Sequence, residues 1–359
     1  MYKKFLGTFI GGAAGDALGY PVEFDTIEKI QEKYGKNGIT EFILSPNKEA
    51  LISDDTQMTL FTANGLITGL QEKNTEKILS NISLSYLDWY NTQIKPRPEG
   101  VPLCAWIANI PQLYDLRAPG ITCLNSCMKG ANGSIASPIN NSKGCGGIMR
   151  VAPIGLLPTS QYSLKEIAIL GAEVSALTHG NIMGYIPSAI LTCIINKLVY
   201  SSSTPEEAIY DSISFVKEIF PQNIEIDNLL NSIKNAIYLA NNNFSDKDCV
   251  RGLGEGWTAD EALLIAIYCA VKYSNDFERA IIAAVNHSGD SDSTGSITGN
   301  ILGAYLGIDK IPKKFTENLE IKNLIKEIVL DLYWFLSEPD NEPLGEAWNK
   351  KYKENTYGH

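Results

Sequence analysis

Glycine recurs at every fourth position in two places: Gly7, Gly11, Gly15 and Gly19 near the start, and Gly295, Gly299, Gly303 and Gly307 near the end. Four residues advance an α-helix by slightly more than one turn, so each set lies on one helix face. A glycine inside a helix is worse than alanine by about 1 kcal/mol. A whole face of them therefore implies a compensating contact, and close approach of another backbone is the obvious one. One or both glycine-faced helices are expected in the tightly packed centre of the fold; whether they touch each other stays open. A dinucleotide-binding glycine loop is the competing reading of the first set. That loop needs a strand immediately upstream, and only a few residues precede Gly7.

Most of the remaining chain also reads as helix. Residues 4–19, 55–72, 75–91, 164–176, 181–199, 205–219, 226–240, 259–273, 277–285, 294–306 and 318–336 carry helical periodicity or helix-start signals. Ser163 to Glu166, Thr204 to Glu207 and Thr258 to Glu261 match the capping box. Residues 39–45 form a short strand or an extended loop, and strand signals are otherwise almost absent. Three prolines make 92–105 a loop, and 115–147 is loop-rich. The fold is mainly or wholly α-helical. The 359 residues fit one large domain or two, but no linker or repeat divides them. The expectation is a single domain over 1–336 with a peripheral tail, 337–359, that holds Pro339 and Pro343.

A net charge of −11 argues against a broad nucleic-acid footprint or a polybasic membrane anchor. No uninterrupted apolar run is read as long enough to span a bilayer. The first residues combine two lysines with an apolar stretch, as a signal peptide does. Asp16 and the glycines interrupt that stretch, and no clear cleavage site follows. Seven scattered cysteines without a Cys-x-x-Cys pair argue against a zinc site or a disulfide framework. A soluble, cytoplasmic, monomeric protein with reduced core thiols is expected.

Two acidic clusters carry the chemistry. Asn286 to Gly295 places Asp290 and Asp292 two positions apart among serines, and Ser53-Asp54-Asp55-Thr56 lies far upstream. Oxygen donors at this density suit a hard cation such as Mg²⁺, Mn²⁺ or Ca²⁺. Either cluster alone is equally well explained as a solvated helix start, where Ser and Asp serve as caps. The hypothesis is that the fold joins the two around metal.

The order and spacing of five motifs resemble the ADP-ribosylglycohydrolase family, from about residue 4 to 306. They are Gly15-Asp16-Ala17-Leu18-Gly19 with Glu23, Ser53 to Met58, Arg117 to Cys123, Gly144 to Arg150 with Thr178-His179-Gly180, and Gly289 to Gly295. The resemblance implies a compact orthogonal all-α bundle binding two divalent cations, Mg²⁺ or Mn²⁺. The implied ligands are Ser53, Asp54, Asp55, Asp290, Asp292 and Ser293. It implies hydrolysis of the C1″ bond between ADP-ribose and an acceptor, with ADP-ribosylarginine on protein as the leading substrate and nucleic acid unexpected. Asp55 or Glu23 would handle the proton. Gly144, Cys145, Gly146, Gly147, Met149 and His179 would bind substrate, the glycines by letting backbone N–H groups approach the diphosphate. Arg150 would serve phosphate or fix the loop through carboxylates, and His287 has no assigned role. Tyr20, Trp106 and Tyr114 are candidates for stacking, and the loops at 92–120 for the acceptor wall. Other linkages (serine, nucleic acid, small molecule), a non-catalytic ADP-ribose binder and a structural descendant are the alternatives. A serine or cysteine hydrolase has few bases to choose from, since only His179 and His287 lie inside the fold, and no Gly-x-Ser-x-Gly elbow appears.

Overall fold

The computed structural model describes residues 1–71, 74–94, 103–337 and 345–352. In chain order its α-helices are α1 Tyr2–Gly19, α2 Ile27–Tyr34, α3 Asp54–Leu70, α4 Thr75–Gln93, α5 Ile121–Met128, α6 Leu164–Ala176, α7 Ile182–Tyr200 and α8 Pro205–Ile219. There follow α9 Ile224–Ala240, α10 Asp246–Leu253, α11 Ala259–Lys272, α12 Phe277–Val285, α13 Ser291–Leu306, α14 Lys322–Ser337 and α15 Gly345–Tyr352. Short 3₁₀ turns connect several of them. No strand forms among the described residues, only isolated bridges at Leu44–Ala50, Ala50–Leu319 and Gly144–Thr258. The stretch 39–45 is therefore the extended loop of its two readings.

The two glycine faces pack against each other. A methyl group built on Gly7 would overlap the carbonyl oxygen of Gly303. On Gly11 it would overlap that of Gly299, on Gly15 that of Gly295, and on Gly19 that of Ser291. The overlaps are reciprocal at Gly295, Gly299 and Gly303. Partner numbers fall as the α1 numbers rise, so α1 and α13 run antiparallel with backbone against backbone. Asn300 Nδ2 adds a hydrogen bond to the Thr8 carbonyl at 2.9 Å. Gly307, at φ 73°, then ends α13. The antiparallel register sets the C-terminal end of α1 beside the N-terminal end of α13, so Glu23 arrives next to Asp290 and Asp292.

Helix α3 joins this pair through Asp16, a fully buried residue of α1. Its carboxylate accepts from the Ser53 amide at 2.9 Å, the Thr56 amide at 3.2 Å and the Thr56 hydroxyl. Helices α4, α6, α7, α9 and α11 complete the core around them.

Several sequence expectations need correction. The boundaries of the longer helices hold closely, the largest difference being α14, read from 318 and observed from Lys322. Helices α2, α5, α10 and α15 were not foreseen. Ser163 and Thr204 form reciprocal capping boxes. Thr258 stands at the N-cap of α11 but its hydroxyl makes no capping bond, and Glu261 Oε2 accepts the Glu255 amide at 3.3 Å, so the capping box does not form. Helix α7 is long and apolar enough to cross a membrane, yet most of it is buried inside the protein. The tail expected to be peripheral supplies α15, whose Trp348 and Tyr352 are buried, with Trp348 stacked on Phe335 at 5.6 Å. The proline-rich part of the 92–105 loop, the rest of the tail's interior and its last residues lie outside the described residues.

The glycine contact predicts a contrast. Gly11→Ala should lower the urea midpoint by an amount equivalent to about 1–3 kcal/mol, as overpacking does. Gly252→Ala in α10, where an added Cβ meets nothing within 4 Å, should stabilise by up to about 1 kcal/mol. Equal effects at the two positions would rule out the backbone contact.

Candidate active site

Two helix starts, 238 residues apart in sequence, meet where the Ser293 hydroxyl donates to Asp55 Oδ1 at 3.3 Å. Each start is built locally. Ser53 caps α3, its hydroxyl accepting from the Asp55 amide at 3.1 Å. Asp290 caps α13, its Oδ1 accepting from the Ser293 amide at 3.2 Å. Capping and site-building are thus the same geometry here, and the two sequence readings of these clusters do not exclude each other. Asp54 accepts from the Gly120 amide at 3.1 Å. Asp290 also receives the Cys145 thiol at 2.6 Å.

Glu23, Asp290 and Asp292 each place an oxygen within 4.8 Å of the others, and all three are buried. Glu23 Oε2, Asp55 Oδ2 and Asp292 Oδ1 have no hydrogen-bond partner. Among the described residues no lysine or arginine forms an ion pair with this group; the nearby Arg117 pairs with Glu320 at 2.8 Å instead. Burying a carboxylate without a partner is costly, and the electrostatics register that cost. Burial and then the Asp292 charge raise Asp16 to about 7, against the hydrogen bonds from Thr56 and Ser53. Burial, then Asp292 and Asp290, raise Glu23 to about 10. Asp54, Asp55, Asp290 and Asp292 are all raised, burial being the largest cause for each. Orphaned oxygens of this kind are the donor set a hard divalent cation takes, so these residues fit one.

The carboxylates floor a cavity of about 370 Å³ that Gly120 to Cys123, Gly144 to Gly146, Met149 and His179 also line. A larger cavity of about 440 Å³ lies on the other side of Trp257, but its lining mixes Glu28, Lys247, Arg251 and Glu261. The orphaned oxygens of Glu23, Asp55 and Asp292 line the smaller one. Of the sequence candidates, Ser53 and Gly147 do not line it. The Ser53 hydroxyl lies behind Asp292, to which it hydrogen-bonds. A Cβ at Gly147 would overlap the Ser175 hydroxyl, so this glycine serves packing against α6. Two amides of the glycine loop are already committed: Cys145 N–H donates to Trp257 O at 3.2 Å and Gly144 N–H to Ser142 Oγ at 3.3 Å. They are not free for a diphosphate.

Arg150 fits neither of its two readings. It is fully buried and points away from the cavity, donating to Val174 O at 3.2 Å and Thr178 Oγ1 at 2.5 Å, with its guanidinium 4.2 Å from the Tyr86 ring centroid. Tyr20, Trp106 and Tyr114 do not line the cavity; the aromatics that do are Phe24 and Trp257. These two stack at 5.8 Å and 21°, with Phe24 70% and Trp257 38% exposed. Sequence reasoning missed them, although Phe24 follows a singled-out residue. Asp16 was missed as a site residue too, although its motif had been noted. Of the loops expected to form the acceptor wall, Ala118, Pro119 and Gly120 do line the cavity. His287 is held by Thr294 Oγ1 at 2.9 Å and Ser288 O at 3.1 Å.

Comparison with known proteins follows the same lines. The sequence model described as ADP-ribosylglycohydrolase matches residues 1–340. An uncharacterised protein of Archaeoglobus fulgidus is 28% identical over 93% of this chain and 97% of its own length. The ADP-ribosyl-[dinitrogen reductase] glycohydrolase of Rhodospirillum rubrum is 24% identical over 90% of this chain and 92% of its own. Human ADP-ribosylhydrolase ARH3 is 26% identical, but over only 50% of this chain and 54% of that protein. A solved structure described as an ADP-ribosylglycohydrolase-related protein complex superimposes with a TM-score of 0.65 at 20% identity, covering 93% of this chain and 98% of that one. At that identity the structural likeness establishes the all-α fold.

The raised carboxylates predict how pH and metal act together. In metal-free protein the folded state holds more protons than the unfolded one, whose carboxylates titrate near 4. The cluster's contribution is therefore intact below about pH 4 and is lost as pH rises through about 7 for Asp16 and about 10 for Glu23. Protons compete with metal over the same range. The rise in urea midpoint given by saturating Mn²⁺ should thus grow from pH 5 to pH 8. A gain that is constant or shrinks with pH would contradict the assignment.

Proposed function

Because the chain belongs to the ADP-ribosylglycohydrolase family, we propose that it hydrolyses the C1″ glycosidic bond joining ADP-ribose to an acceptor, with ADP-ribosylarginine on protein as substrate. The observation that carries the reading is the set of buried, unpartnered carboxylate oxygens from both ends of the chain on the floor of one cavity. Two divalent cations, Mg²⁺ or Mn²⁺, are proposed to sit among Asp54, Asp55, Asp290, Asp292 and Ser293, with Glu23 beside them and Ser53 supporting from behind. When bound, such cations orient the sugar hydroxyls and acidify a nearby water.

The chain's own residues do the rest. Glycoside cleavage develops positive charge on the ribose ring, and the surrounding carboxylates favour that charge. Glu23 and Asp55 each keep an oxygen free for a proton, which the arginine must receive to leave as a guanidinium. Arginine is favoured as the acceptor because the cavity is acidic and its mouth carries the exposed Phe24–Trp257 pair, on which a flat cation stacks. The name of the Rhodospirillum rubrum relative describes an enzyme that acts on an ADP-ribosylated protein, in keeping with this choice.

The test is release of free ADP-ribose from peptides ADP-ribosylated on arginine or on serine, with Mg²⁺ or Mn²⁺ present. EDTA should stop it, whereas a serine or cysteine hydrolase would continue. Asp292→Ala should lower turnover about a hundredfold or more. The proton-handling residue is whichever of Glu23→Gln and Asp55→Asn loses kcat while KM is kept. Unaltered turnover in Asp292→Ala would sink the site assignment.

A further inference from the structure

We propose that His179 serves the cavity as a neutral donor, held in its Nε2–H tautomer by a relay that runs from Arg150 through the Thr178 hydroxyl. Arg150 Nη2 can only donate, and it reaches Thr178 Oγ1 at 2.5 Å. That hydroxyl has one proton to give, and its other contact is His179 Nδ1 at 2.8 Å. Were Nδ1 protonated, the buried hydroxyl would face two donors and its own proton would have no acceptor, which is unfavourable for a buried group. Nδ1 therefore accepts, and the ring proton sits on Nε2.

Nε2 has no hydrogen-bond partner among the described residues. The ring lies along the cavity wall: a Cβ at Gly144 would come 3.4 Å from Nε2, and one at Gly146 3.3 Å. The imidazole is buried, so a donor aimed into this space is satisfied by a ligand oxygen or by water. Burial, then the Arg150 charge, push its pKa down to about 3, in keeping with a ring that stays uncharged. The relay is rigid, because the Thr178 carbonyl is gripped by Ser126 Oγ at 3.0 Å and Asn140 Nδ2 at 2.7 Å. Arg150, whose buried charge has no carboxylate partner among the described residues, thereby gains a purpose as a positioning residue, as does Thr178. The ligand class is the anionic, oxygen-rich ADP-ribose of the proposed function, on which this part of the inference rests.

The test separates the relay from that function. The chain has only three histidines, so ¹⁵N-histidine spectra resolve each tautomer, assigned with His287→Gln and His359→Gln. His179 should show Nε2–H and no imidazolium between pH 5 and 8. A wild-type His179 with its proton on Nδ1, or one that titrates in that range, overturns the relay without any ligand. By calorimetry with ADP-ribose, Thr178→Val should weaken binding about tenfold, while Thr178→Ser binds as wild type. His179→Gln, which keeps an N–H near Nε2, should bind more tightly than His179→Leu. Equal affinities for Thr178→Val and Thr178→Ser would also overturn the relay. If Thr178→Val does not fold, the wild-type spectrum still decides. Wild-type protein that binds no ADP-ribose would instead overturn the functional reading.

Discussion

The contact between α1 and α13 is made of backbone. Carbonyl oxygens of Gly295, Gly299 and Gly303 occupy the space that side chains on Gly15, Gly11 and Gly7 would need. Such proximity gains dispersion and weak Cα–H···O contacts in place of side-chain burial. A slip of one turn would still set glycine against glycine, so register comes from what does not repeat: Asn300 fills the space beside Gly12 and donates to the Thr8 carbonyl at 2.9 Å, which locks the two helices end to end. Everything catalytic in the proposed function depends on that lock, because it sets Glu23 against Asp290 and Asp292 although hundreds of residues separate them in sequence.

Asp16 extends the lock to a third helix. It stands on the same helix as the glycines and grips the first turn of α3 through Ser53 and Thr56. The carboxylates Asp54 and Asp55 are thus positioned by another carboxylate that does not line the cavity. This explains why the acidic sequence cluster is longer than the donor set it presents. Some of its polar atoms, such as the Ser53 hydroxyl, hold the others in place.

Much of this was legible in the chain. Long helices with Ser163 or Thr204 at their starts announce themselves, since caps and periodicity agree over many turns. Helices such as α2 and α10 span eight residues, little more than two turns, which is too short for a period to emerge from turn-like composition. The acidic clusters were legible as clusters, because density of oxygen donors is a local property. Asp16, Phe24 and Trp257 were not, since each matters only through a partner distant in sequence. Arg150 shows the same limit in another form. Beside a glycine loop it invites a phosphate, yet its side chain turns into the core toward Thr178, a direction that no spacing rule contains.

The carboxylate cluster also raises the question of what balances it. Helices α3 and α13 both point their N-terminal ends at the site, and each carries acidic residues in its first turn. A helix N-terminus favours a nearby negative charge by about 0.3–1 kcal/mol, and by about 2 in partly buried geometries. Burial of an ion costs several kcal/mol each even after relaxation. Two dipoles fall well short of offsetting Glu23, Asp54, Asp55, Asp290 and Asp292 together, and no lysine or arginine among the described residues pairs with them. The difference must be met by protons or by cations. Protons suffice in acid, where the cluster is neutral. As pH rises through about 7 for Asp16 and about 10 for Glu23 the protons leave, and a divalent cation held by the same oxygens would take over the balance, so the donor set that fits a cation is also the part of the fold that gains most from one.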